Sequence, residues 1–176
     1  KAKANAMLVK NLLTKDFNIR ETSTEAWLTF EQLNNTAIFD IAELKPSYGI
    51  GGCDLSSTTD LTAAKVIFML PDDKKIYVKQ MYWLPEDLLE QRSKEDKIPY
   101  DLWYEQELLR TTPGNSVHYK YVTEWFLEIR DEYGIYLPWI GYDRWSAKYW
   151  VEEMEGYFGK EAMVPVAQGK QTLSSP

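Results

Sequence analysis

The chain is poor in the side chains that bind soft metals or cross-link a fold: 176 residues contain one cysteine, Cys53, and one histidine, His118. A lone cysteine excludes an internal disulfide and any Cys-based zinc site, and a lone histidine excludes a His-rich one. Any metal must then be a hard, oxygen-bound ion such as Mg²⁺ or Mn²⁺. No apolar run approaches the roughly 18 residues of a membrane span. The opening Lys1-Ala2-Lys3-Ala4-Asn5 lacks the apolar stretch of a secretory signal. The expectation is a cytosolic protein without a membrane partner. A Gly-x-x-x-x-Gly-Lys-Ser/Thr phosphate loop is also missing. Positive charge is scarce, with 20 Lys and Arg against 27 Asp and Glu for a net charge of -7. That balance argues against a generic nucleic-acid coat, whose grip on phosphates is cationic.

What the chain does have is apolar residues, at 44%, and aromatic rings, including seven Trp and twelve Tyr. The length suffices for one domain with a proper core. Most of the rings fall at helical or strand spacing and are read as core packing rather than as a base-stacking surface.

Two aspartates share a setting. Asp54 follows Ile50-Gly51-Gly52-Cys53, and Asp143 follows Trp139-Ile140-Gly141-Tyr142. Side chains on a strand alternate faces, so Gly52 and Asp54 share one face, as do Gly141 and Asp143. Each carboxylate then sits beside an empty lane. If the two strands pair in parallel, the carboxylates can converge on one divalent cation.

Residues 3–17 carry Leu8, Val9, Leu12, Leu13 and Phe17 on one helical stripe, and a second short helix is expected from Thr24 through Leu33. Together they form a helical lead-in, residues 1–45, ahead of a main domain at 46–176. Strands are expected at 48–55, 62–70 and 75–84, the last two joined by a turn at Pro71-Asp72-Asp73-Lys74, which makes an antiparallel meander. Pro85 opens a helix, residues 99–109 read as another, and Thr111 through Asn115 as a turn. Val122, Trp125, Phe126, Ile129 and Tyr133 define a helix closed by Gly134. It leads into the strand of Asp143. Ser146 then caps a helix with the stripe Ala147, Trp150, Val151, Met154 and Phe158, and residues 162–167 form a last strand. Helices alternating with strands imply parallel crossovers, so the sheet is mixed and the class is α/β.

This order, with an acid on the first strand and another on the strand after the crossover helix, resembles the ribonuclease H-like fold. The run Gly52-Cys53-Asp54-Leu55-Ser56-Ser57-Thr58-Thr59-Asp60-Leu61-Thr62-Ala63 resembles the first nuclease motif of the large terminase subunit of tailed bacteriophages. Thr14-Lys15-Asp16-Phe17-Asn18, Thr112-Pro113-Gly114-Asn115, Gly141-Tyr142-Asp143-Arg144-Trp145 and the closing Gln168-Gly169-Lys170-Gln171-Thr172-Leu173-Ser174-Ser175-Pro176 are similar to further stretches of that family. The likeness implies an endonuclease that cuts concatemeric double-stranded viral DNA in the host bacterial cytoplasm. Its implied partners are the portal, the small terminase subunit and an ATPase domain lying outside this sequence. It implies two Mg²⁺ or Mn²⁺ ions, with a third acidic ligand on an element after Pro176.

Under that resemblance Asp54 and Asp143 are the catalytic metal ligands, with Asp60 a further candidate. Each has a plainer reading beside it. Asp54 can cap the Ser56-Ser57-Thr58 turn, Asp143 can pair with Arg144 or start the next helix, and Asp60 can be a turn acid. Ser56 and Ser57 can meet a phosphate or satisfy the turn backbone, while Arg144 and Lys148 can hold the scissile strand or face solvent. His118 is read as structural or exposed, and Cys53, on the face opposite Asp54, as a small buried apolar residue. Two rival functions stand beside the nuclease. One is a catalytically incomplete ribonuclease H-like docking module for the motor, portal or small subunit. The other is an aromatic carbohydrate- or peptide-binding surface.

Overall fold

The computed structural model describes residues 34–56, 60–143 and 148–167, so the helical lead-in expected before residue 34 lies outside the described residues. The chain divides into two compact units, Lys1–Phe39 and Asp40–Pro176. Of the first, residues 34–39 are described; they carry no helix or strand, and Asn35 Oδ1 accepts the Ala37 amide at 3.0 Å. The second unit opens with a single helical turn, α1 (Ile41–Leu44), whose N-cap Asp40 accepts the Ala42 amide at 2.8 Å.

Six strands follow in one sheet: β1 (Tyr48–Asp54), β2 (Thr62–Leu70), β3 (Asp73–Pro85), β4 (Arg110–Thr112), β5 (Tyr136–Asp143) and β6 (Met163–Val166). Their spatial order is β4-β3-β2-β1-β5-β6. The meander β1-β2-β3 is antiparallel, while β4 on β3, β5 on β1 and β6 on β5 are all parallel. This is the mixed α/β sheet expected from the sequence.

The helices are α2 (Leu89–Asp96), α3 (Tyr100–Glu105), α4 (Lys120–Asp131) and α5 (Lys148–Phe158). Val122, Trp125, Phe126 and Ile129 of α4 are fully buried, as the 3.6-residue spacing requires. Gly134, at φ 67°, adopts the left-handed conformation that lets the chain turn from α4 into β5. Trp150 and Met154 of α5 are buried too, and the rings of Trp83, Trp125, Phe126 and Trp150 form a chain of contacts with centroids 5.1–6.5 Å apart.

Two elements differ from expectation. Residues 110–112 form a short strand instead of the start of a turn, and the bend begins at Pro113. Thr112 is fully buried there, its hydroxyl donating to the Ser116 carbonyl at 3.1 Å. Three residues are too few to display a period of two. The helix expected over 99–109 stops at Glu105, because Glu107 takes a left-handed φ of 58° and Leu109 turns into a cluster with Leu84 and Tyr100.

The faces of the sheet are unequal. Gly51, Ala64, Val66 and Ile140 share the covered face, where α4 comes so close that a Cβ on Gly51 would lie 3.0 Å from the Phe126 ring. The opposite face carries Val78, Ile67, Ile50 and Trp139 in one register line, all at least partly open to solvent. On that side α2 and α3 pack over the end near Leu84.

Candidate active site

Parallel pairing of β1 with β5 sets Gly52 beside Gly141 and Cys53 beside Tyr142. The next residues on each strand are Asp54 and Asp143. The two aspartates therefore stand side by side at the carboxyl ends of neighbouring strands, on the open face, with strand axes about 4.8 Å apart. Asp54 is exposed and makes no hydrogen bond or ion pair with any described residue. Asp143 is half-buried and paired in register with Val166 of β6.

The glycines open the space in front of them. A Cβ on Gly52 would meet nothing nearer than the Gly141 carbonyl at 3.8 Å, and one on Gly141 would meet Val166 Cγ2 at 3.3 Å. The result is a groove of about 640 Å³, floored by Gly52 and Gly141 and walled by Ile50, Trp139, Val164 and Val166, with Asp143 at one end. Chemically, this couples an apolar slot to the Asp143 carboxylate, with Asp54 on the neighbouring strand. Paired carboxylates suit Mg²⁺ or Mn²⁺, with water completing the shell. Among the described residues, no group of three His, Cys, Asp or Glu gathers into a fuller metal cluster.

The other candidates fall around this pair. Asp60 is exposed on the bend between β1 and β2, and its amide donates to Ser56 Oγ at 3.2 Å. Ser56 is braced by Thr62, whose Oγ1 accepts the Ser56 amide at 3.0 Å and donates to its carbonyl at 2.6 Å. The Ser56 hydroxyl thus serves the turn. Ser57 and Arg144 lie outside the described residues, and Lys148 opens α5, with its side chain likewise outside them. His118 is exposed. Cys53 occupies the covered face and is partly buried; burial first, and the neighbouring Asp54 charge second, push its thiol pKa far above the ordinary value.

Two features were not singled out from the sequence. Lys65 pairs in register with Gly52, so it stands on the open face beside the glycine lane, exposed and without an ion pair to any described residue. A lysine interrupting the apolar run of β2 was the available signal. Trp139, read as core with most of the rings, is 55% exposed, and Tyr48 and Tyr136, a register pair at the other end of β1 and β5, are 56% and 67% exposed. Helical spacing explains the buried rings of α4 and α5, but on a strand only the face decides, and these three share the uncovered one.

The family described as terminase large subunit, endonuclease domain, matches residues 1–176. The chain belongs to this family. The terminase large subunit of Enterobacteria phage HK97 is 42% identical over 100 residues, which are 57% of this chain and 19% of that protein. The crystal structure of the HK97 large terminase matches this fold with a TM-score of 0.62 at 32% identity, covering 75% of this chain and 28% of that one. This terminase endonuclease domain thus spans under a third of the length of the relatives it matches. Its mixed sheet flanked by helices is the architecture that the resemblance implied, with the short β4 as an added strand. No described helix is long and apolar enough to cross a membrane.

Proposed function

We propose that the chain is a divalent-metal-dependent DNA endonuclease domain of a packaging terminase, cutting concatemeric double-stranded viral DNA in the host cytoplasm. The observation that supports it best is the parallel register of Gly52 with Gly141 and Cys53 with Tyr142, after which Asp54 and Asp143 are the next residues on adjoining strands. Asp54, on β1 within the sheet, and Asp143, on the adjoining β5, would hold the ions. Two Mg²⁺ or Mn²⁺ ions bound there would activate water and stabilise the leaving oxygen of a phosphodiester. The chain's own residues supply the rest. The carboxylates hold and orient, and the bare glycine backbone lets a phosphodiester approach without steric obstruction. Lys65, beside Gly52, offers a phosphate contact that partly offsets the acidic surroundings. The portal, small subunit and ATPase domain are the partners this role requires.

A second reading has its own observation. The far end of the open face exposes Ile67, Met69, Ile76 and Val78, 41–65% accessible, a patch that suits docking to another packaging component.

Incubating the full-length protein with plasmid DNA and Mn²⁺ separates the two. Nicking or linearisation that EDTA abolishes, and that Asp54→Ala and Asp143→Ala each remove while melting as wild type does, is the expected result. Cleavage retained in either variant would sink the site assignment. A folded, Mn²⁺-supplied protein that never cuts would favour the docking module.

A further inference from the structure

The open face carries a line of exposed rings that metal ligation does not account for. Trp139 lies four residues before Asp143 on the same strand and the same face, with Gly141 between them. At about 3.3 Å per residue that is some 13 Å, or about four stacked base steps of a DNA strand at 3.4 Å each. Farther from the acids, Tyr48 and Tyr136 continue the line. Core packing cannot be the reason for these rings, because each leaves more than half of its surface in solvent while α4 and α5 fill the opposite face. The groove joining Trp139 to Asp143 is apolar on its sides, with Ile50, Val164 and Val166, and has no side chain on its glycine floor. Such a slot accepts a flat ring between its apolar walls, while at its end Asp143 would hold a cation and through it a phosphate.

We infer that this face is a track for one locally unpaired DNA strand, on which Trp139 stacks a nucleobase and so positions the scissile phosphate at Asp54 and Asp143. The inference rests on the nuclease reading above and adds its substrate conformation: a frayed or melted strand rather than an intact duplex. The physical ground is that every base has a π-face, so aromatic platforms bind single strands with little sequence preference. In an intact duplex the bases are stacked on one another and their faces are not available to Trp139. Net acidity is compatible with the track, since stacking does not depend on charge, and Lys65 stands across Gly52 from Trp139's strand. Trp139 is a positioning residue here, because it acts on the register of the strand and not on the reacting atoms.

The test uses full-length protein and fluorescently labelled oligonucleotides, single-stranded and duplex, with anisotropy read in Ca²⁺ and cleavage read in Mn²⁺. Trp139→Ala should weaken single-strand binding about 5- to 150-fold, the range of one lost stacking contact, and change duplex affinity far less. In cleavage it should raise KM and also lower kcat, because the phosphate is held off register, and Trp139→Phe should restore most of each loss. Because Trp139 is exposed, the melting temperature should not move.

Wild type that cuts, with Trp139→Ala equal to it in KM and single-strand affinity, would overturn the track and leave the nuclease intact. An equal loss on duplex and single strand would overturn the unpaired-base assignment. Wild type that binds single strands through Trp139 but never cuts in Mn²⁺ would support the track and overturn the nuclease. A wild type that binds neither oligonucleotide would overturn both.

Discussion

A methyl group added at Gly51 would come within 3.0 Å of the Phe126 ring and 3.1 Å of Ile140 Cγ1, whereas one added at Gly52 would find only the Gly141 carbonyl at 3.8 Å. The two glycines are adjacent in sequence but lie on opposite faces. Gly51→Ala should therefore cost about 1–3 kcal/mol by overpacking, and Gly52→Ala should melt close to wild type while narrowing the Gly52–Gly141 groove. Paired thermal melts check this, and equal melting temperatures for the two variants would refute the face assignment. Cys53 gives a second residue-scale prediction. A thiol whose pKa is raised stays protonated at pH 8, and only the thiolate is nucleophilic, so native protein should react slowly with iodoacetamide and urea-unfolded protein quickly. Mass spectrometry of the alkylated fraction against time measures it. The apolar character of Cys53 was legible from its alternation with Asp54, but the weight of burial on its thiol was not, because that depends on what α4 and α5 lay over β1.

The β2–β3 hairpin is legible from the turn Pro71-Asp72-Asp73-Lys74 between two apolar alternations, although β3 begins two residues earlier than that turn implied, at Asp73. Its start is held by Asp73, whose carboxylate accepts the Tyr77 hydroxyl at 2.7 Å and the Lys75 amide at 2.9 Å. The Tyr77 bond, then the Lys75 amide, lower the Asp73 pKa below its ordinary value. A depressed folded-state value means that the contribution is present above the unfolded value of about 3.9 and is lost as pH falls through the lower folded one. Asp73→Asn should thus be less stable than wild type at pH 7, and the gap should close below about pH 4. Urea titrations at both pH values would show it; a gap independent of pH would refute the account. The element that escaped the sequence is β4. Arg110 is fixed by a two-point contact with Glu128 of α4, at 2.8 and 3.1 Å, and Thr112 by the Ser116 carbonyl. A contact spanning 18 residues has no local signature, and a Thr-Thr-Pro-Gly run reads as a turn until its pairing with β3 is known.

At the scale of the whole molecule, the acidic balance is the feature a cation would change most. Asp54 and Asp143 end neighbouring strands, and a Mn²⁺ ion held by both would add a cation to an acidic surface. Metal that binds the folded state alone stabilises by mass action, by about 2.7 kcal/mol at a hundredfold excess over Kd, which moves Tm by several degrees. Mn²⁺ should raise the melting temperature of wild type, EDTA should reverse the rise, and the double variant Asp54→Asn with Asp143→Asn should show none. A shift that persists in the double variant would place the ion elsewhere.

The sequence by itself determined most helices and strands of the core and singled out the two aspartates as candidates, because hydrophobic periods of 3.6 and 2 and the glycine two residues before each acid are local. It also excluded a cysteine or histidine metal site by composition alone. Only the tertiary structure decided that β5 lies directly against β1 in the register that brings Gly52 to Gly141 and the acids together. It likewise decided which face the helices leave open, so that Trp139, Tyr48 and Tyr136 are surface and Trp83, Trp125 and Trp150 are core. The physical reason is the same in each case. An aromatic residue on a strand is apolar in composition whichever way it points, and burial belongs to the pairing of distant segments rather than to the residue.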